Sequence, residues 1–117
     1  MKDRDIRDYL KDILDAITDI ENFVGNMTYE EFIKDRKTLN AVVRSIEIIG
    51  EASKKLPDSL KAKYAELPWK EITGMRDKLI HAYFSMDTKT IWQTVKHNIP
   101  GLKQTIQEHK KSRIIPQ

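Results

Sequence analysis

The residues best equipped for chemistry are an arginine and a histidine five positions apart, Arg76 and His81, with Asp77 between them and Tyr83 just beyond. Arginine keeps its charge at any physiological pH and presents a planar fork of donors that fits phosphate oxygens. Imidazole takes up or gives back a proton near neutrality. The two together suit RNA cleavage, because the strand supplies its own nucleophile in the 2′-hydroxyl. Such a reaction then needs only proton transfer and stabilisation of charge developing on the phosphate. With no cysteine in the chain, disulfides, thiolate metal sites and cysteine nucleophiles are excluded. His97 and His109 lack ligand spacing with each other or with His81 and read as surface residues, so no metal or other cofactor is expected.

The helix that carries the pair is predicted to open at Pro68 and run to about Phe84. Advancing 100° per residue gathers Trp69, Ile72, Met75, Leu79, Ile80 and Tyr83 into one apolar sector, and Arg76 falls inside it. A cation in a packing stripe must meet a carboxylate, an interface or an anion. The structural reading is a buried ion pair with Glu47 or Glu51, and under it the chain is only a scaffold. His81 lies about 140° around the cylinder from Arg76, so an ideal single helix does not aim both at one phosphate. Either the helix distorts, or a second copy completes the site across a two-fold axis, which is the reading preferred here. Gly74 allows either a close helix approach or a bend.

The elements around that helix follow from periodicity. Ile6, Tyr9, Leu10, Ile13, Ile17, Ile20 and Val24 recur at three- and four-residue steps, which predicts an amphipathic helix ending at Gly25 and Asn26. Thr28 to Glu31 matches a capping box and starts a short second helix. Leu39, Val42, Val43, Ile46, Ile49 and Ala52 predict a long core helix over 37–56. Pro57-Asp58-Ser59 stops it and caps a short helix. Asp87 caps the last helix, with Ile91, Trp92, Val95, Ile99, Leu102 and Ile106 on its buried face and a kink at Pro100. No stretch alternates with period two. The fold class expected is all-α, an antiparallel up-and-down bundle of four to five helices, in a single domain over 1–109 with a flexible tail over 110–117.

Charge is distributed unevenly. The first 60 residues hold 10 Lys/Arg against 13 Asp/Glu, leaving 11 against 5 of the chain's 21 and 18 for the second half. A basic second half suits a polyanionic partner. No apolar run is long enough for a signal peptide or a membrane span, so a cytoplasmic address and no membrane partner are expected. Trp69, Met75, Tyr83, Phe84 and Trp92 offer more large apolar surface than a small bundle buries, which argues for a dimer.

The segment from Leu67 to Asp87, with Arg76, four residues, His81, one residue and Tyr83, resembles the signature of HepT-like toxins of the HEPN superfamily. Val43-Arg44-Ser-Ile-Glu47-Ile-Ile-Gly-Glu51-Ala52 is similar to that family's long core helix, and the likeness extends over nearly the whole chain. Asp77 departs from the Asn common after the arginine in the wider superfamily. The resemblance implies a HEPN-like bundle and a metal-independent endoribonuclease toxin of a type II-like or type VII toxin–antitoxin pair. It implies Arg76 and His81 as catalytic residues, with Asp77, Glu47, Glu51 and Arg44 in support. The partners implied are RNA, a second copy of the chain and a minimal nucleotidyltransferase antitoxin, assembled as a homodimer or a larger hetero-oligomer. It also implies Tyr83 as the acceptor of AMP from that antitoxin, although pattern alone reads Tyr83 as a core or interface aromatic. The alternative is a non-catalytic nucleotide- or RNA-binding helical companion of such a nucleotidyltransferase.

Overall fold

The computed structural model describes residues 5–63, 65, 69–85 and 87–114, with the backbone alone at 71, 75 and 110–114. The start of the reactive helix at Leu67 and Pro68, the side chain of Met75 and residues 115–117 of the expected tail therefore lie outside the described residues. All the regular structure among them is helical: α1 (Ile6–Val24), α2 (Tyr29–Lys34), α3 (Arg36–Lys54), α4 (Asp58–Lys63), α5 (Trp69–Thr73), α6 (Met75–Phe84), α7 (Thr88–Gln93) and α8 (Ile99–Ile114), with a π-helical turn, Thr94–Asn98, joining the last two. The all-α bundle expected from periodicity is what the chain forms.

Local chemistry sets the boundaries. Asp5 caps α1 by accepting from the Arg7 backbone N–H at 2.8 Å, and Asp8 accepts in return from the Asp5 N–H at 3.1 Å. Gly25 ends that helix at φ 52°, a conformation that favours glycine. The Thr28 box is present: Glu31 N–H donates to Thr28 Oγ1 at 3.2 Å and Thr28 N–H donates to Glu31 Oε1 at 2.9 Å. Asp35 and Asp87 each accept from a threonine backbone N–H and hydroxyl three residues on, capping α3 and α7.

Packing follows the apolar stripes. Ile13, Ile17 and Ile20 of α1 meet Val42, Ile46 and Ile49 of α3 in a fully buried seam, and Ile72 and Leu79 add the α5–α6 side of the core. Phe32 is fully buried and tilts against Trp92 at 5.1 Å between ring centroids, while Tyr29 meets Trp92 edge-on at 5.8 Å. Lys96 covers the same indole at 4.7 Å. Across the bundle, Lys103 of α8 donates to both carboxylate oxygens of Glu21 on α1, at 2.8 and 3.1 Å.

Three expectations change in detail. The helix expected to run unbroken to Phe84 is divided at Gly74, where glycine's poor helix propensity meets an end with no side-chain cap. The break is shallow, since Gly74 N–H still donates to the Lys70 carbonyl at 3.0 Å and Lys78 N–H to the Gly74 carbonyl at 3.2 Å. The disturbance at Pro100 takes the form of the π-helical turn just before it, where Ile99 N–H reaches back to the Thr94 carbonyl; a proline that cannot donate favours such a widened turn. The helical backbone of α8 continues past 109 to Ile114.

Candidate active site

The site is built on the crossing of α3 and α6. A Cβ added at Gly50 would sit 3.3 Å from both Arg76 Cβ and Arg76 N, tighter than an ordinary van der Waals contact. Glycine at this position therefore lets the backbone of α6 touch α3 beside Arg76. Leu79 and Ala82, three and six residues on, bury against the core and fix the roll of α6.

Beside Gly50, the Glu51 carboxylate stands 3.6 Å from Arg76 Nε, and Lys54 Nζ lies 3.6 Å from the same oxygen. Arg76 Nη1 donates to Asp77 Oδ1 at 3.1 Å. Glu47 is not the partner of Arg76; it pairs with Arg44, Nη1 to Oε2, at 3.4 Å. The expectation of a buried ion pair is corrected too. The Arg76 side chain is 41 % exposed and Glu51 55 %, so the bridge is solvent-screened and contributes about 0–1 kcal/mol. Only the base of the side chain is enclosed: Arg76 Cβ faces Gly50 at the helix contact, and the long stem carries the guanidinium out toward solvent. A guanidinium lightly held by two carboxylates is open to exchange for a phosphate.

His81 is exposed in the last turn of α6, and its carbonyl accepts from Ser85 N–H at 3.0 Å and Ser85 Oγ at 2.8 Å. Asp87, across the following turn, has its carboxyl held below the ordinary range, first by the Thr90 hydroxyl and backbone bonds and then by the nearby His81 and Lys78. Since α6 is regular from Met75 to Phe84, the reading in which the helix distorts between Arg76 and His81 loses its basis. At 100° per residue, the two positions on this helix stand about 140° apart around its axis.

Tyr83 is half-buried and meets Phe84 edge-on, 5.4 Å between centroids at 84°. Both rings border an open groove of about 260 Å³ between α3 and α6, with Val43 and Ile80 as its apolar floor and Asn40, Arg44 and Glu47 along the α3 side. Sequence reasoning named Arg44, Glu47 and Tyr83 but missed Gly50 and Asn40; a single glycine inside a long amphipathic helix was the available signal for the first. Of the large apolar residues expected to crowd the surface, Trp69, Tyr83 and Trp92 are half-buried, and Phe84 is 78 % exposed. His97 is exposed as expected, whereas His109 is half-buried with both ring nitrogens shielded from solvent. Among the described residues, no helix is long and apolar enough to cross a membrane.

Comparison with known proteins adds a strong likeness. Residues 13–109 match the family described as HepT-like, ribonuclease HepT-like. A protein of Methanocaldococcus jannaschii provisionally named an RNase is 50 % identical over 92 % of this chain and 89 % of its own length. One from Thermococcus cleftensis, provisionally named ribonuclease HepT, is 49 % identical over 92 % of this chain and 98 % of its own. A third, from Caldanaerobacter subterraneus and also provisionally named an RNase, is 45 % identical over 87 % and 91 %. No solved structure matches.

Proposed function

The chain belongs to the HepT-like ribonuclease family, and from that premise we propose that it is a metal-independent endoribonuclease acting as the toxin of a toxin–antitoxin pair. The observation that carries this reading is Arg76: a half-exposed guanidinium, backed by α3 at Gly50 and held only by surface carboxylates. In the proposed reaction the 2′-oxygen attacks phosphorus, the bond to the 5′-oxygen breaks, and a 2′,3′-cyclic phosphate and a 5′-hydroxyl result. His81 accepts the 2′-hydroxyl proton, Arg76 neutralises the phosphate oxygens, and the His81 of a second copy returns a proton to the leaving 5′-oxygen. Two copies are invoked because a regular α6 separates Arg76 and His81 by about 140°. Proton transfer is worth roughly 10²- to 10⁴-fold and a charge-stabilising donor roughly 10²- to 10³-fold, which makes a slow nuclease.

The partner we propose is a minimal nucleotidyltransferase antitoxin. Tyr83 is half-buried at the groove rim, and AMP on its hydroxyl would place a bulky anion on the α3–α6 side of the reactive helix. The test is incubation of the purified chain with end-labelled RNA in excess chelator. Cleavage leaving cyclic-phosphate ends is expected, with His81→Ala and Arg76→Ala each slower by roughly 10²-fold or more. Equal rates in folded variants would remove the assignment.

A further inference from the structure

Among the described residues, Phe84 is the most exposed large apolar side chain, at 78 %, against 40 % for Phe23 and Ile33. Its ring stands at a near right angle to Tyr83, 5.4 Å between centroids, and both rings line the α3–α6 groove. Behind it lie an apolar floor, Val43 and Ile80, and a row of three different polar groups: the Asn40 amide, the Arg44 guanidinium and the Glu47 carboxylate. A flat aromatic surface, a small apolar recess and mixed donors and acceptors at its edge are the requirements of one splayed-out nucleobase, stacked on a ring and read along its hydrogen-bonding edge. A partner helix would instead call for a longer apolar stripe at helical spacing, and here the apolar floor is two residues.

Position favours the same occupant. Phe84 follows His81 by one helical turn, so their side chains are neighbours on the surface of α6. A strand with its phosphate at His81 has the adjoining base within reach of Phe84.

We infer that the α3–α6 groove is a base subsite of the nuclease, with Phe84 as the stacking platform and Glu47 as the residue that selects the base; the inference rests on the ribonuclease reading above. Glu47 Oε2 is held by Arg44 at 3.4 Å, which leaves Oε1 to accept. An acceptor-only group favours bases that carry an exocyclic amino group, namely adenine, cytosine and guanine. Uracil, whose edge sets a carbonyl oxygen on either side of its one N–H, is disfavoured.

The experiment measures cleavage of short RNAs that differ only in the base beside the cut, with wild type, Phe84→Ala, Phe84→Trp, Glu47→Gln and His81→Ala side by side. Phe84→Ala is expected to raise KM by roughly tenfold with kcat little changed, as loss of one stacked base implies. Phe84→Trp restores KM, and Glu47→Gln, which can both donate and accept, raises cleavage beside uracil toward that beside the other bases. Unchanged KM and unchanged base preference in both the Phe84→Ala and Glu47→Gln variants would overturn the subsite while leaving the nuclease intact. Conversion of a wild-type dimer to monomer by Phe84→Ala would overturn it as well, since the face would then belong to a second copy. Failure of wild type to cleave any of the RNAs, with His81→Ala indistinguishable from it, would strike the ribonuclease reading instead.

Discussion

At Gly50 the fit between two helices is decided by tenths of an ångström. Alanine there gains about 0.8–1.0 kcal/mol of helix propensity but sets a methyl 3.3 Å from the Arg76 backbone, so α6 must yield slightly. Gly50→Ala is expected to keep its urea midpoint close to wild type and to lose RNA cleavage, because Arg76 moves with its helix; unaltered kcat would show that the contact does not seat the guanidinium. Gly50→Leu has no such latitude and is expected to lose roughly 1–3 kcal/mol, as overpacked sites do, measured by denaturant unfolding. Glu51→Gln, by contrast, removes a solvent-screened bridge and should cost under about 1 kcal/mol. Arg76 was legible in the sequence as a cation misplaced on an apolar stripe. Its partner was legible only to the level of two carboxylates one turn apart, since choosing Glu51 over Glu47 depends on where α6 crosses α3.

The helices themselves were legible wherever a cap and a stripe coincide. Thr28 with Glu31, Gly25 and Asp87 act locally, through hydrogen bonds spanning three or four residues, and local chemistry can be read from local sequence. The division at Gly74 and the widened turn before Pro100 were harder, because neighbouring helices decide whether a glycine or proline bends, breaks or unwinds a run. Asp35 and Asp87 carry a consequence for acid stability. Both carboxyls are held below their usual range, by Thr38 and by Thr90 respectively. A depressed folded value means that the ionised form is the stabilised one. Its contribution is complete above the unfolded value of about 3.9 and disappears as pH falls through the lower folded value. Melting temperatures followed from about pH 6 to about pH 2 should therefore drop at the acid end, and Asp87→Asn should flatten part of that drop while keeping a capping oxygen for α7. A variant with the same acid profile as wild type would show that the α7 cap is not one of the groups being titrated.

For the molecule as a whole, the bundle was readable from periodicity, and the angle of about 140° between Arg76 and His81 already pointed to a second copy, while the surface that a second copy would cover is not written in one chain's pattern. The separation of Arg76 and His81 around a regular α6 gives the expectation that the active species is a dimer. Sedimentation should find twice the chain's mass, and an active species that stays monomeric throughout dilution would defeat the shared site. The basic second half gives another: KM for RNA should climb steeply with added salt, since each phosphate contact made by Lys or Arg releases a bound cation. A flat salt response would mean that the strand is not held by its backbone. The π-helical turn at Thr94–Asn98 has a consequence for how this chain can change in length. A widened turn is an ordinary helix with one residue too many, and here the surplus lies between two well-packed stretches, Ile91 before it and Leu102 and Ile106 after it. Removing one exposed residue from that turn, Lys96 or His97, would return it to the normal pitch while both flanks keep their own buried partners, so a one-residue deletion is expected to be absorbed here that elsewhere in the bundle would rotate a whole face out of the core.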